Sequence, residues 1–179
     1  MKTAVFTFGR MNPPTVGHEK LVNKVRTVAR LQKGEPLIFL SHSQDAKKNP
    51  LDYNTKIKLA QSAFGKIAQR SKSNTIIKVL QELEKKYDKV VLVVGSDRVS
   101  SMSVLVHKYN GKDYNFDEID VVSAGDRDPD AEGVEGMSAS LMRELASNED
   151  LERFTEGLPQ GLKRQAAKVM AAVRKGMKL

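Results

Sequence analysis

Thr15 and His18 lie three residues apart in Gly9-Arg-Met-Asn-Pro-Pro-Thr15-Val-Gly17-His18, a stretch with two glycines and two prolines. At a helix entrance this spacing turns a hydroxyl and an imidazole toward one anion. The unpaired N–H groups of a helix's first turn favour phosphate at the same place. Gly9 and Gly17 have no Cβ, so a ligand can come close to their backbone. A second group, Ser138-Ala-Ser140-Leu-Met-Arg143, sets small hydroxyls at another helix entrance and a guanidinium one turn inside. There the planar fork of Arg143 can reach back to an anion. Both groups suit phosphate recognition.

Those residues need elements to hold them. Ala4 to Phe8 is a short apolar run that reads as a buried strand. From Glu19 onward, Leu21, Val22, Val25, Val28 and Leu31 mark one face of a helix. Glu35-Pro36 reads as a turn and Leu37–Leu40 as the next strand. A β-α-β order implies parallel strands, with ligands beyond their carboxyl ends. The loop from Ser41 to Leu51 then lies on that rim. Within it, His42 reads as a solvated loop histidine.

A helix is expected from about Asp52 to Gln69, capped by Asp52 or Asn54, and another from Asn74 to Tyr87. Val90–Val94 is a continuous β-branched strand; after it Gly95 turns the chain, and Ser96 and Asp97 are expected to cap a helix over 100–109. Residues 109–116 read as a polar loop and Glu118–Ala124 as a further strand. Residues 125–136, with five acids and three glycines, read as a loop over the site rim, with Arg127 a candidate contact to a substrate phosphate. Its acids lack the spacing of a calcium loop. Gln160–Gly176 is a basic amphipathic helix with Leu162, Ala166, Val169, Met170 and Val173 on its apolar face. The expectation is an α/β, Rossmann-like, doubly wound parallel sheet. A single domain would span 1–179, with a helical C-terminal extension over 150–179.

The chain has 179 residues, enough for a real core, and no cysteine, which excludes disulfides and thiolate chemistry. No apolar run approaches the roughly 20 residues of a membrane span, so a cytoplasmic protein with no membrane partner is expected. Net charge is +8, and residues 158–179 contribute six of those charges without an acid. The remainder is close to balance, which disfavours a primary nucleic-acid function and confines any such role to the basic tail. An oligomer is compatible with all of this.

The Gly9–His18 stretch resembles the (H/T)xGH signature of the nucleotidyltransferase superfamily that includes nicotinamide-nucleotide and pantetheine-phosphate adenylyltransferases and small cytidylyltransferases. Ser138-x-Ser140-x-x-Arg143 resembles the superfamily's distal Ile-Ser-x-(Ser/Thr)-x-x-Arg motif, with Met137 in place of isoleucine. Lys47-Lys48-x-Pro-Leu resembles the loop whose lysine binds both substrates' phosphates in pantetheine-phosphate adenylyltransferases, which implies that role for Lys47 or Lys48. Gly95-Ser-Asp97 resembles the Gly-x-Asp substrate segment of nicotinamide-nucleotide adenylyltransferases. The Phe8-Gly9-Arg10 start favours the same branch, whereas threonine at position 15 favours the pantetheine-phosphate branch. The pattern is also similar to small nucleotidyltransferase-like proteins of tailed bacteriophages.

The resemblance implies an enzyme that transfers the nucleoside monophosphate of ATP, with Mg²⁺, to a phosphorylated small molecule and releases pyrophosphate. His18 and Thr15 would act on the α/β-phosphates, and Ser138, Ser140 and Arg143 would hold the β/γ-phosphates, with no metal bound by the chain itself. Nicotinamide mononucleotide is the first substrate implied, in NAD biosynthesis. Phosphopantetheine, a cytidylyl transfer, or an inactive nucleotide-binding module are the alternatives.

Overall fold

The computed structural model describes residues 1–125 and 137–179. Within them the chain falls into two compact units. Among the described residues, one comprises Met1–Phe8, Lys20–Phe39 and 69–125; the other comprises Gly9–Glu19, Leu40–Ala68 and 137–179. Strands β1 (Thr3–Gly9), β2 (Glu35–Leu40), β3 (Lys89–Val94) and β4 (Glu118–Ser123) form one sheet in the order β2-β1-β3-β4. Helix α1 (Val16–Gln32) joins β1 to β2. After β2 come α2 (Tyr53–Phe64) and α3 (Ile76–Glu84), and α4 (Val99–Lys108) joins β3 to β4. Helices α5 (Ala139–Ser147), α6 (Leu151–Gly157) and α7 (Ala166–Gly176) end the chain.

The first unit is a three-layer α/β arrangement of the Rossmann type. β3 pairs in parallel with β1, Thr3 opposite Lys89 and Phe6 opposite Leu92, and with β4, Lys89 opposite Glu118 and Val94 opposite Ser123. Because strand side chains alternate, the two faces carry different sets. Phe6, Phe39, Val90 and Leu92 pack with Val79, Leu80 and Leu83 of α3 and Val106 of α4. Val5, Val91 and Val93 pack with Val25, Val28 and Ala29 of α1. Burial on both faces accounts for the near-continuous valines of β3.

Several local expectations are corrected. Leu31 is 78% exposed. At 3.6 residues per turn it lies about half a turn from Val22, and Ala29 completes the buried face in its place. Pro36 is not in a turn but inside β2, which ends the strand order, where a missing N–H is tolerated. Residues 109–116 are not a purely polar loop. Tyr114 and Phe116 are core residues, the Tyr114 hydroxyl donates to Val106 O, and Asn110 bonds both the N–H and the C=O of Phe116. Ser96 and Asp97 do not cap α4. They form a 3₁₀ turn over Ser96–Arg98, and α4 starts at Val99, its N-cap Arg98 making no side-chain cap bond. Helix α2 stops at Phe64 because Gly65 takes φ 83°, a conformation glycine reaches without strain, and a 3₁₀ turn follows. Arg127 and the acidic-glycine segment lie outside the described residues.

The second unit packs Leu51 and Leu59 with Met142 and Leu145 of α5, Phe154 of α6, and Val169 and Val173 of α7. The apolar face expected of Gln160–Gly176 is the one that is buried, but the helix is not continuous: Gln160–Gln165 is a 3₁₀ segment and α7 begins at Ala166. Two glycines make this packing close. A Cβ on Gly157 would stand 2.3 Å from Met142 Sδ, and one on Gly176 would stand 1.8 Å from Pro50 O. No helix among the described residues is long and apolar enough to cross a membrane.

Candidate functional site

The second unit brings together the turn after β1, the loop after β2 and the start of α5. Thr15 is the N-cap of α1. Its Oγ1 accepts from the His18 N–H at 3.3 Å, and its own N–H donates to His18 Nδ1 at 3.0 Å. The Thr15 hydroxyl also lies 3.2 Å from Nδ1. A ring nitrogen that accepts a backbone N–H keeps its lone pair, so the proton of the neutral imidazole sits on Nε2. Thr15 is 2% exposed, so it reaches an anion by way of the imidazole it orients. His18 can present a ring N–H donor.

Asn12, fully buried, joins the three segments. Its Oδ1 accepts from the Leu51 N–H at 2.9 Å, and its carbonyl accepts from Arg143 Nη1 at 2.9 Å. The preceding residue, Met11, takes φ 44° with its side chain in the core, so the turn is held against a local backbone preference. The Cβ position of Gly17 is 3.8 Å from Met137 O, which puts the residue before Ser138 beside the entrance of α1. Ser138 caps α5 by accepting from the Leu141 N–H at 3.0 Å, as the sequence predicts, and Ser140 is exposed in the first turn. A Cβ on Gly9 would meet nothing within 4 Å, so that backbone is open on the side facing away from the chain.

The loop carrying Lys47 and Lys48 is closed by Asp45. Its Oδ1 accepts the N–H groups of Lys47, Lys48 and Asn49, and its Oδ2 accepts from the Asn49 side chain at 2.8 Å. These bonds, the Asn49 side chain first, hold the Asp45 carboxyl well below the usual carboxylate range. Both lysine side chains are left exposed. His42 is not simply solvated. It stacks on Tyr53 at 3.8 Å and 23°, and its Nε2 is buried with no hydrogen-bond partner among the described residues.

Lys56 is the residue that sequence reasoning missed. Its exposure is 0%, and Nζ donates to Ser41 Oγ at 3.2 Å with no carboxylate partner among the described residues. Burial first, and the Arg10 charge second, push its pKa down to about 8. Burial and Arg10 also lower the pKa of Arg143, with Asp45 working in the opposite direction. The signal was present in the sequence, since Lys56 is four residues before Ala60 on the apolar face of α2. Arg10 thus acts on both Lys56 and Arg143, and among the described residues Asp45 is the counter-charge that acts on Arg143. Such a set of cations stabilises an incoming polyanion.

Phe8, Gly95 and Asp97 belong to the first unit. Phe8 packs partly on the α3/α4 side of the sheet, and the Asp97 carboxylate folds over Gly95, where a Cβ would stand 2.9 Å from Oδ1. No group of three His, Cys, Asp or Glu able to hold a metal occurs among the described residues.

A family model described as cytidylyltransferase-like matches residues 6–145. Among solved structures, the Plasmodium falciparum nicotinic acid mononucleotide adenylyltransferase complexed with APC superposes with a TM-score of 0.59 at 13% identity, over 98% of this chain and 96% of that one. Thermotoga maritima TmcAL superposes in its apo form with a TM-score of 0.53 at 11% identity, over 99% of this chain and 57% of that one. Its complex with alpha-thio ATP gives 0.51 at 10% identity, over 99% and 56%. This chain therefore spans less than two thirds of the length of TmcAL. At these identities the superpositions speak to the fold. No curated protein matches the sequence. The extent of the family match, with the fold it shares, shows that the chain belongs to the cytidylyltransferase-like family and is a nucleotidyltransferase.

Proposed function

We propose that this enzyme transfers the adenylyl group of ATP to the phosphate of a small molecule, nicotinamide mononucleotide first, and releases pyrophosphate. The observation that carries the reading is the cationic group of Arg10, Lys56 and Arg143 around the Asn12 turn. A monoanion would leave much of that charge uncompensated, whereas a triphosphate matches it. Two of the solved structures named above support a nucleotide at this fold, one being complexed with APC and the other bound with alpha-thio ATP.

In this reading an oxygen of the acceptor phosphate attacks the α-phosphorus in line. A P–O bond forms as the α–β bridging bond breaks, and the electron pair leaves on pyrophosphate. The acceptor is already ionised at neutral pH, so no general base is needed. The protein's part is alignment and charge placement. His18 donates from Nε2 to the α/β-phosphates, held in that tautomer by Thr15. Lys47 or Lys48 bridges the two substrates. Ser138, Ser140, Arg143 and the start of α5 hold the β/γ-phosphates, with Lys56 behind them, and Gly9 and Gly17 leave room for the chain of phosphates. Gly95, Asp97 and Arg127 are assigned to the acceptor, and Phe8 to the nucleotide. Mg²⁺ would arrive on the triphosphate and screen its charge. Residues 1–179 act as one catalytic domain in the cytoplasm.

A pyrophosphate-release screen tests this directly. ATP and CTP are each paired with nicotinamide mononucleotide, phosphopantetheine and small phospho-alcohols. Release with ATP and nicotinamide mononucleotide is the expected result. Release with phosphopantetheine alone would move the assignment to the branch that Thr15 favours, and no release with any pair would remove the catalytic reading.

A further inference from the structure

The observation lies away from the site just described, on the outer side of the C-terminal helix. A groove of about 680 Å³ runs between α2 and the segment 160–176. Lys58, Gln61, Gln165 and Lys168 line its walls, Leu59 and Val169 its floor, and no carboxylate lines it. The chain enters it at Gly161, where a Cβ would stand 3.0 Å from Ser62 O, so the backbone there lies directly against α2.

The cations continue beyond the groove. Lys168 and Lys175 are both exposed and seven residues apart on α7, which puts them on one outer face about 10 Å apart along the axis. Exposed Arg164 precedes them and exposed Lys178 follows. None of Lys58, Arg164, Lys168, Lys175 and Lys178 forms an ion pair among the described residues. Arg174 is different. It is used internally, donating to Ala146 O and Ser147 O and pairing with Glu149.

Basic side chains at the surface are commonly only solvated, so the class of partner has to come from their arrangement. A membrane does not fit. The apolar side chains Leu162, Val169, Met170 and Val173 of the segment 160–176 are all buried in the unit's core, and between Lys168 and Lys175 the outer face carries only alanines. A single small phosphate would use one or two cations and leave the row idle. A linear polyanion with regularly spaced charges uses all of them. Gln165 offers donors and an acceptor, and Gln61, whose Nε2 donates one bond to Ala68 O at 3.2 Å, keeps a second N–H and its oxygen; these suit the 2′-hydroxyls and exposed base edges of an unpaired strand.

We propose that the groove between α2 and α7, with the row Arg164, Lys168, Lys175 and Lys178, is a docking surface for single-stranded RNA, separate from the nucleotidyl-transfer site. The test is fluorescence anisotropy of the full chain with a labelled single-stranded RNA of roughly 15 nucleotides, within the usual span of single-strand sites. Affinity should fall with salt at a slope of about −0.7 per phosphate contact, hence near −3 for the four cations of the row. The double variant Lys168→Glu/Lys175→Glu should bind roughly tenfold or more weakly, with a shallower slope. It should keep its circular-dichroism spectrum and its pyrophosphate release, because neither lysine takes part in catalysis. Wild-type affinity in the double variant would overturn the proposal. So would equal binding of single-stranded DNA of the same length, or tighter binding of an acidic peptide. Failure here leaves pyrophosphate release untouched, so the two readings fall separately.

Discussion

Arg143 Nη1 donates to the carbonyl of Asn12 at 2.9 Å, across 131 residues of sequence. This bond ties the distal helix to the turn after β1. The same asparagine receives the Leu51 N–H, so a single buried side chain and its carbonyl align three segments. Loss of the guanidinium therefore acts on geometry as well as on charge.

Arg143→Lys keeps the positive charge and loses the planar fork. We expect kcat/KM to fall on the order of 10²-fold, with a small change in Tm. Arg143→Met should fall further. Pyrophosphate-release kinetics beside thermal unfolding check this, and lysine performing as well as arginine would count against the geometric role.

Thr15→Val keeps the shape of the side chain and removes its oxygen. The α1 cap should lose about 1 kcal/mol, and the imidazole loses one of its two holds from residue 15. Thr15→Ser should restore both. His18→Ala should lower kcat on the order of 10²-fold with little change in stability. An unchanged kcat in His18→Ala would take the histidine out of the transition state.

Lys56 should set function against stability. Its pKa lies near 8 in the fold, below the ordinary 10.5, because burial and Arg10 disfavour the charge. Below about pH 8 both folded and unfolded chains hold the proton, and the buried charge weighs on the fold in full. Between that value and 10.5 the unfolded chain holds more protons, so this term raises stability as pH rises. Lys56→Met should raise the Tm at neutral pH by the equivalent of about 1–2 kcal/mol, and the gain should vanish at high pH. Sodium triphosphate should stabilise the wild type and not the variant. A destabilised Lys56→Met that still responds to triphosphate would contradict the assignment.

Two glycines should separate room for a ligand from packing. A Cβ on Gly17 would rest 3.4 Å from Thr15 Oγ1, an ordinary contact, so Gly17→Ala should fold and lose affinity for ATP. Gly176→Ala meets Pro50 O at 1.8 Å and should fold poorly or not at all. Unfolding curves and nucleotide-binding titrations on the two variants distinguish these outcomes.

The sequence by itself determined the α/β class, the parallel sheet, the cap at Ser138 and the buried face of α7, and narrowed the α2 cap to Asp52 or Asn54, of which the fold uses Asp52. These rest on periodicity and on local hydrogen bonds, which a short window of sequence contains. It also offered Thr15, His18, Ser138 and Arg143 as candidates for phosphate, from residue type and spacing at two helix entrances, and the fold places all four in the second unit. Only the tertiary structure decided the rest. Asn12 is the hub because Leu51 and Arg143 arrive from distant parts of the chain. Lys56 is a buried cation because α2 turns that position inward. Tyr114 and Phe116 are core because Asn110 folds their loop back onto α4. The tautomer of His18 depends on one backbone N–H whose direction no residue type specifies. Each of these depends on which distant group ends up within hydrogen-bonding or packing distance, and that is set by the path of the whole chain.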